Sequence, residues 1–245
     1  MNDDQLINKK FHTIQRNKII KDTDRFIYNE MNERINLSLE NINLKVKKCL
    51  EIGFSSDATY SYLLSRFKKI NYVALDISKK ILENDNLKKK SICHDHDKWN
   101  LNENEFDLIL SNFYLHLSND LNLLLKNINN SLKKNGFFIA TLPGFNCFHE
   151  IKDCMIQADL EIYGGAYRRF NEFLNIEKIS QILKINNFKI PVIEVHTIEL
   201  RYKKFNKLLS DIRGLGNSYI YNDRKKKFEY KNYFKKVKNI YWKKY

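Results

Sequence analysis

Between Lys47 and Val195 the chain alternates short apolar runs of β character with longer stretches whose apolar residues recur at helical spacing. The short runs predict strands at "KCLEI" (48–52), "NYVAL" (71–75, ending at Asp76), "SIC" (91–93), "FDLILSNF" (106–113), "FFIATL" (137–142) and "FKIPVIEV" (188–195). The periodic stretches predict helices over 57–68, 78–87, 118–134, 147–160 and 176–186. Local chemistry marks several ends: Ser78 can cap "KKILEND", Ser118 or Asn119 can cap the helix that follows, and Asn135-Gly136 offers a left-handed stop. Such alternation predicts an α/β fold, a mostly parallel sheet with helices on both faces, whose ligands bind beyond the carboxyl ends of the strands.

The flanks follow other rules. Residues 1–46 read as a polar helical N-terminal extension, with Phe26, Ile27, Met31 and Ile35 at helical spacing. Residues 47–200 hold the alternating pattern, and 201–245 form a basic helical appendage packed on it, with a "GLGN" turn between two helices. Residues 161–175 break the periodicity with Gly164-Gly165 and a cluster of aromatics and arginines, the signature of a lid or substrate loop.

Composition narrows this picture only slightly. At 245 residues and 43% hydrophobic the chain can bury one sizeable core. No apolar stretch approaches the roughly 20 residues of a membrane span, and "MNDDQLINKKFH" lacks a signal-peptide core, so a cytoplasmic protein is expected. Cys49, Cys93, Cys147 and Cys154 form no C-x-x-C pair and read as reduced, mostly buried thiols. The net charge of +14 lies almost wholly in Arg201–Tyr245, which holds 15 Lys/Arg against 3 Asp/Glu. Its aromatics recur at helical spacing, which makes an apolar face with lysines outward rather than a nucleic-acid surface.

Three acids stand at strand ends: Glu51 beside Gly53, Asp76 after the second strand, Asp95 after the third. Singly, each reads as a cap or turn residue. As an ordered set they outline an adenosine, since a carboxylate after the second strand can accept both ribose hydroxyls and an acid after the third can accept from an adenine amine.

The segments "CLEIGFSSD", "VALDIS", "FDLILSNFYLHLSNDLNLLLKNINNSLKKNGFFIATLPG" and above all "LLSDIRGLGNSYIYNDRK" resemble class I S-adenosylmethionine-dependent methyltransferases. The nearest branch contains the malonyl-acyl-carrier-protein methyltransferases of biotin synthesis and a mitochondrial complex I assembly factor implicated in arginine hydroxylation. The resemblance implies a Rossmann-like methyltransferase fold with S-adenosylmethionine as cofactor. It assigns Glu51, Gly53 and Ser55 to the first cofactor loop, Asp76 and Ile77 to the ribose, Asp95 and His96 to the adenine, and Ser111 and Asn112 to the methionine end. It names no catalytic acid or base, because methyl transfer from a sulfonium rests on positioning. Two departures stand out. Ser55 and Asp57 occupy positions that are glycine in the family, where Asp57 can instead cap "ATYSYLLSRF". The chain also stops at "NIYWKKY", without the family's terminal strand, so the sheet should be one strand shorter.

"CHDHD" gathers histidines and aspartates, but adjacent side chains point alternately and suit a metal poorly, so no metal is assigned. His116 is expected to pack at the pocket edge. In "YGGAYRRF", Tyr163, Tyr167, Arg168 and Arg169 form the candidate substrate loop, with the arginines placed for an anionic group. The expected function is methyl transfer to a carboxylate or protein-bound substrate. Its expected partners are acyl-carrier protein or a subunit of respiratory NADH dehydrogenase. The alternatives are an assembly factor or arginine hydroxylase on the same fold, or a pseudoenzyme with a degenerate cofactor loop.

Overall fold

The computed structural model describes residues 6–18, 26–54, 56–83, 89–215, 218–225 and 229–245. Its centre is a five-stranded parallel sheet in the order β3-β2-β1-β4-β5, formed by β1 (Lys48–Ile52), β2 (Asn71–Asp76), β3 (Lys90–Cys93), β4 (Phe106–Asn112) and β5 (Leu132–Thr141). The helices in chain order are α1 (Lys9–Arg16), α2 (Phe26–Glu40), α3 (Asp57–Phe67), α4 (Lys79–Glu83), α5 (Leu121–Ser131), α6 (His149–Tyr163), α7 (Ile176–Ile185), α8 (Phe205–Gly214) and α9 (Tyr233–Lys244).

Strand alternation divides the core. Cys49, Tyr72, Ala74, Leu108 and Leu110 face one side, against Met31, Ile35 and Leu39 of α2, Leu63 of α3 and Ile81 of α4. Leu50, Ile52, Val73, Leu75 and Ile109 face the other, against Leu124, Leu125 and Ile128 of α5 and Ile182 of α7. Both faces are therefore covered, as a parallel sheet requires. A third cluster joins Ile151, Cys154 and Met155 of α6 to Leu208 and Leu209 of α8 and Tyr233 and Val237 of α9. The lysine-rich C-terminal segment thus buries its apolar stripe on α6.

Several expected details change. Residues 188–195 form no strand: Asn187 and Ile190 have positive φ (61° and 51°), Pro191 offers no amide, and Ile190, Val192 and Val195 are exposed. The α5 cap is Asp120, whose carboxylate accepts from the Leu123 amide at 2.9 Å, and not Ser118 or Asn119. That helix ends at Ser131, and the left-handed Asn135 (φ 66°) falls within β5. Asp57 lies inside the first turn of α3 after Ser56, where its charge suits the helix dipole but it caps nothing. Cys93 is exposed, unlike Cys49 and Cys154. No helix among the described residues is long and apolar enough to cross a membrane.

Candidate functional site

The chain turns from β1 to β2 on one side and to β4 on the other, so the crevice beyond the carboxyl ends of β1, β2 and β4 is the switch point where ligands bind in such sheets. Glu51, Asp76, Ser111 and Asn112 all lie there, each fully buried. The tight turn after β1 is made by Gly53 at φ 79°, whose amide donates to the Leu75 carbonyl at 2.7 Å and ties β1 to β2. Ser55 lies outside the described residues.

Each acid is already engaged. Glu51 accepts the Tyr72 hydroxyl. Asp76 accepts the Ser78 amide at 2.8 Å on Oδ1, and its Oδ2 receives the Arg16 guanidinium of α1 at 2.5 Å. Arg16 also donates to the Phe54 carbonyl at 3.0 Å and lies 4.8 Å over the Tyr114 ring. Burial opposes its charge, but the Asp76 carboxylate holds the guanidinium protonated beyond its ordinary range. At the other end of the crevice, Ser111 Oγ donates to the Ile52 carbonyl at 2.7 Å, while Asn112 Nδ2 donates to the Tyr28 carbonyl (3.0 Å) and to Asn32 Oδ1 (2.6 Å) of α2. Thr141 closes the network by donating to Asn112 Oδ1 at 2.7 Å.

The predicted adenine end is a ring cluster. His96 packs edge-on to Tyr114 at 4.8 Å, and His12 of α1 lies 5.5 Å from the same ring. Ile77 is half-buried beside it, and its carbonyl accepts from Cys93 Sγ at 3.8 Å. Asp95, His96 and Asp97 come close enough to hold a cation, but the Lys9 ammonium already bridges the two carboxylates at 3.1 and 2.5 Å. Asp97 also accepts Ser118 Oγ and the Asn119 amide, so it pins the loop before α5. This group reads as a structural ion cluster. His116 is buried and packs edge-on to Phe173 at 5.7 Å.

The donor set suits an adenosine in kind and position, but its space is taken. A Cβ on Gly53 would lie 2.0 Å from Tyr114 Cγ, so the ring fills the cradle that the glycine opens, and Arg16 occupies Asp76, the expected ribose acceptor. In this conformation the crevice is closed by α1 and Tyr114.

The candidate substrate loop is partly structural. Arg169 grips Asp159 with two donors (2.8 and 2.5 Å) and Glu229 at 2.8 Å, and stacks 4.2 Å over Tyr233. Burial opposes the Glu229 charge, but donors from Arg169, Lys225 and Tyr163 hold its carboxyl down to about 2. Tyr163 donates to Glu229, and the Tyr167 amide donates to Asp159. These three residues weld α6 to the C-terminal segment, which corrects the expectation that both arginines receive an anion. Arg168 is the exposed one, with Asp223 and Glu172 at 3.7 and 3.8 Å.

Arg16, His12, Tyr114 and Asn32 were not singled out from the sequence. The available signal was the i,i+4 pair of His12 and Arg16 in "KKFHTIQR", one polar face that becomes buried.

The buried histidines give a pH prediction. Burial, reinforced by neighbouring positive charge, lowers His12 well below its ordinary value, and burial with Lys9 takes His96 down to about 4 against the pull of Asp97 and Asp95. Unfolded imidazoles protonate near pH 6.5. Their contribution is therefore whole above about 6.5 and is lost as pH falls toward 4, because the unfolded chain binds the extra protons. Thermal midpoints should fall between about pH 6.5 and 5, and His12→Phe should flatten that fall. The same slope in variant and parent would show that His12 is not held neutral.

Comparison with known proteins fits this geometry. Residues 50–140 match the methyltransferase domain family. The chain is 27% identical over 231 residues to the mitochondrial arginine-hydroxylase NDUFAF5 of Dictyostelium discoideum, covering 84% of this chain and 53% of that protein. It is 22% identical over 196 residues to the malonyl-[acyl-carrier protein] O-methyltransferase of Legionella pneumophila, covering 78% of this chain and 67% of that enzyme. Among solved structures, the YcgJ protein of Bacillus subtilis superposes with a TM-score of 0.56 at 12% identity, over 84% of this chain and 83% of that one, a likeness of fold. The chain spans about half the length of the arginine-hydroxylase relatives it matches.

Proposed function

We propose that this chain, which carries a methyltransferase domain at residues 50–140 on a Rossmann-like sheet, is an S-adenosylmethionine-dependent methyltransferase acting on a carboxylate or a protein-bound group. The observation that carries the reading is the placement of Glu51, Asp76 and Asn112 together at the carboxyl ends of β1, β2 and β4. When bound, the cofactor supplies an activated methyl group. The chain's own part is to hold it: Asp76 and Ile77 at the ribose, Asp95 and His96 at the adenine, Glu51, Gly53 and Ser55 along the first loop, Ser111 and Asn112 at the amino-acid end. Tyr163, Tyr167 and Arg169 shape the surface beside α6, and Arg168 is the residue left to meet an anionic acceptor. In this reading the enzyme works in the cytoplasm, without a metal.

A second reading has its own support, since the relative matched over 84% of the chain is named as an arginine-hydroxylase. Under it the chain would modify a protein arginine, or assist assembly of respiratory NADH dehydrogenase by binding one of its subunits. The two separate in one assay. Purified protein with methyl-labelled S-adenosylmethionine is offered malonyl-loaded acyl-carrier protein, and recovered cellular partners are analysed by mass spectrometry. Label on the carrier supports the first reading. An NADH dehydrogenase subunit as partner, carrying an added oxygen on arginine and no label, supports the second and overturns the first.

A further inference from the structure

The closed crevice is built from the chain's own N-terminal helix, and each contact duplicates one that a bound adenosine needs. Asp76 is the ribose acceptor proposed above, and Arg16 holds its Oδ2 at 2.5 Å with Nε 3.5 Å from Oδ1. Tyr114 lies against Gly53, where a ligand would approach the first loop. His12, one helical turn before Arg16, packs against both Tyr114 and His96, with ring centroids 5.5 and 6.2 Å away. Residues 6–8 are strapped to the C-terminal segment: Ile7 bridges Tyr221, the Asn8 amide donates to the Ile220 carbonyl and the Asn222 amide to the Leu6 carbonyl, both at 2.8 Å. The Arg16 end of α1 is thus the end over the crevice, while the other end is anchored.

The docked helix also carries costs that a static cap would not need. Arg16 and Asp76 are both taken out of water, and such a pair returns little net stability. Among the described residues, neither ring nitrogen of the fully buried His12 has a hydrogen-bond partner. These costs narrow the free-energy gap between the docked state and one with α1 withdrawn.

We propose that α1 is an internal competitor for the nucleoside half of the site: Arg16 holds Asp76 in place of a ribose, and an adenosine-containing ligand binds only as α1 leaves. This rests on the methyltransferase reading. The docked fraction then weakens apparent affinity in proportion to its population, and loosening Arg16 strengthens it.

The test titrates S-adenosylhomocysteine into the full chain and into Arg16→Gln by calorimetry. It also follows amide hydrogen exchange over residues 9–16 in the parent with and without ligand. The expected result is affinity about tenfold tighter in Arg16→Gln, with exchange over 9–16 faster when ligand is bound. If the parent binds while Arg16→Gln binds equally or more weakly, or if ligand protects residues 9–16, the competitor role is overturned and the methyltransferase reading stands. If neither protein binds at saturating ligand, the methyltransferase reading falls and takes this inference with it. The exchange measurement needs no variant, so a misfolded Arg16→Gln does not remove the test.

Discussion

Asp76→Ala is expected to cost about 3–5 kcal/mol of unfolding free energy, the penalty for leaving one member of a buried pair without its partner. The Arg16 and Asp76 side chains are only 1% and 0% exposed, and no water can compensate the guanidinium where it lies. Asp76 also receives the Ser78 amide at the start of α4, and Ser78 in turn caps Ile81, so its loss spreads along β2 into the next helix. Replacing both residues, as in Arg16→Met with Asp76→Leu, is expected to recover most of that cost, because the desolvation penalty leaves with the pair. Urea unfolding of the two single variants and the double variant measures the coupling. A loss under about 1 kcal/mol in Asp76→Ala would show that α1 is already detached in solution and that the pair is not part of the folded crevice.

Gly53→Ala carries the second large effect. The residue sits at φ 79°, where a side chain is strained, and the new Cβ would come 2.0 to 2.5 Å from three atoms of the Tyr114 side chain. Backbone strain and overpacking together are expected to cost about 2–4 kcal/mol. The clash has a specific relief, since Tyr114→Gly removes all three of these atoms and leaves only the strain of φ. In the double variant Gly53→Ala with Tyr114→Gly, the further loss caused by the glycine change should shrink to about 1–2 kcal/mol. If Gly53→Ala costs the same with and without the Tyr114 side chain, that side chain does not lie on the glycine.

The central sheet was legible because its evidence is local and redundant. Short apolar runs at 48–52, 71–76 and 106–112 and helical stripes such as Leu124, Leu125 and Ile128 point to one architecture, the parallel sheet with helices on both faces that is observed. The strand expected at 188–195 failed for a reason also local: apolar content outweighed Pro191 and the turn around Asn187 in the reading, and the backbone did the reverse. The acids at strand ends were found by spacing, but their partners were not. Arg16 lies 60 positions from Asp76 and Asn32 lies 80 from Asn112, and no periodicity within either segment reports such pairings. The same blindness made Arg169 look available, when Asp159 and Glu229 saturate it across α6 and the C-terminal segment.

The most direct test is calorimetric titration of the full chain with S-adenosylmethionine, repeated on Arg16→Gln and on Arg16→Gln with Asp76→Asn, so that Arg16 no longer competes for the side chain at 76 and the asparagine change weakens only acceptance from the ribose. The expected result is saturable one-to-one binding by the parent, and affinity lower by at least about tenfold in the double variant than in Arg16→Gln, the loss of roughly one charge-assisted hydrogen bond. No heat and no thermal shift at saturating ligand, or equal affinity in the two variants, would contradict the assignment of this crevice as the cofactor site.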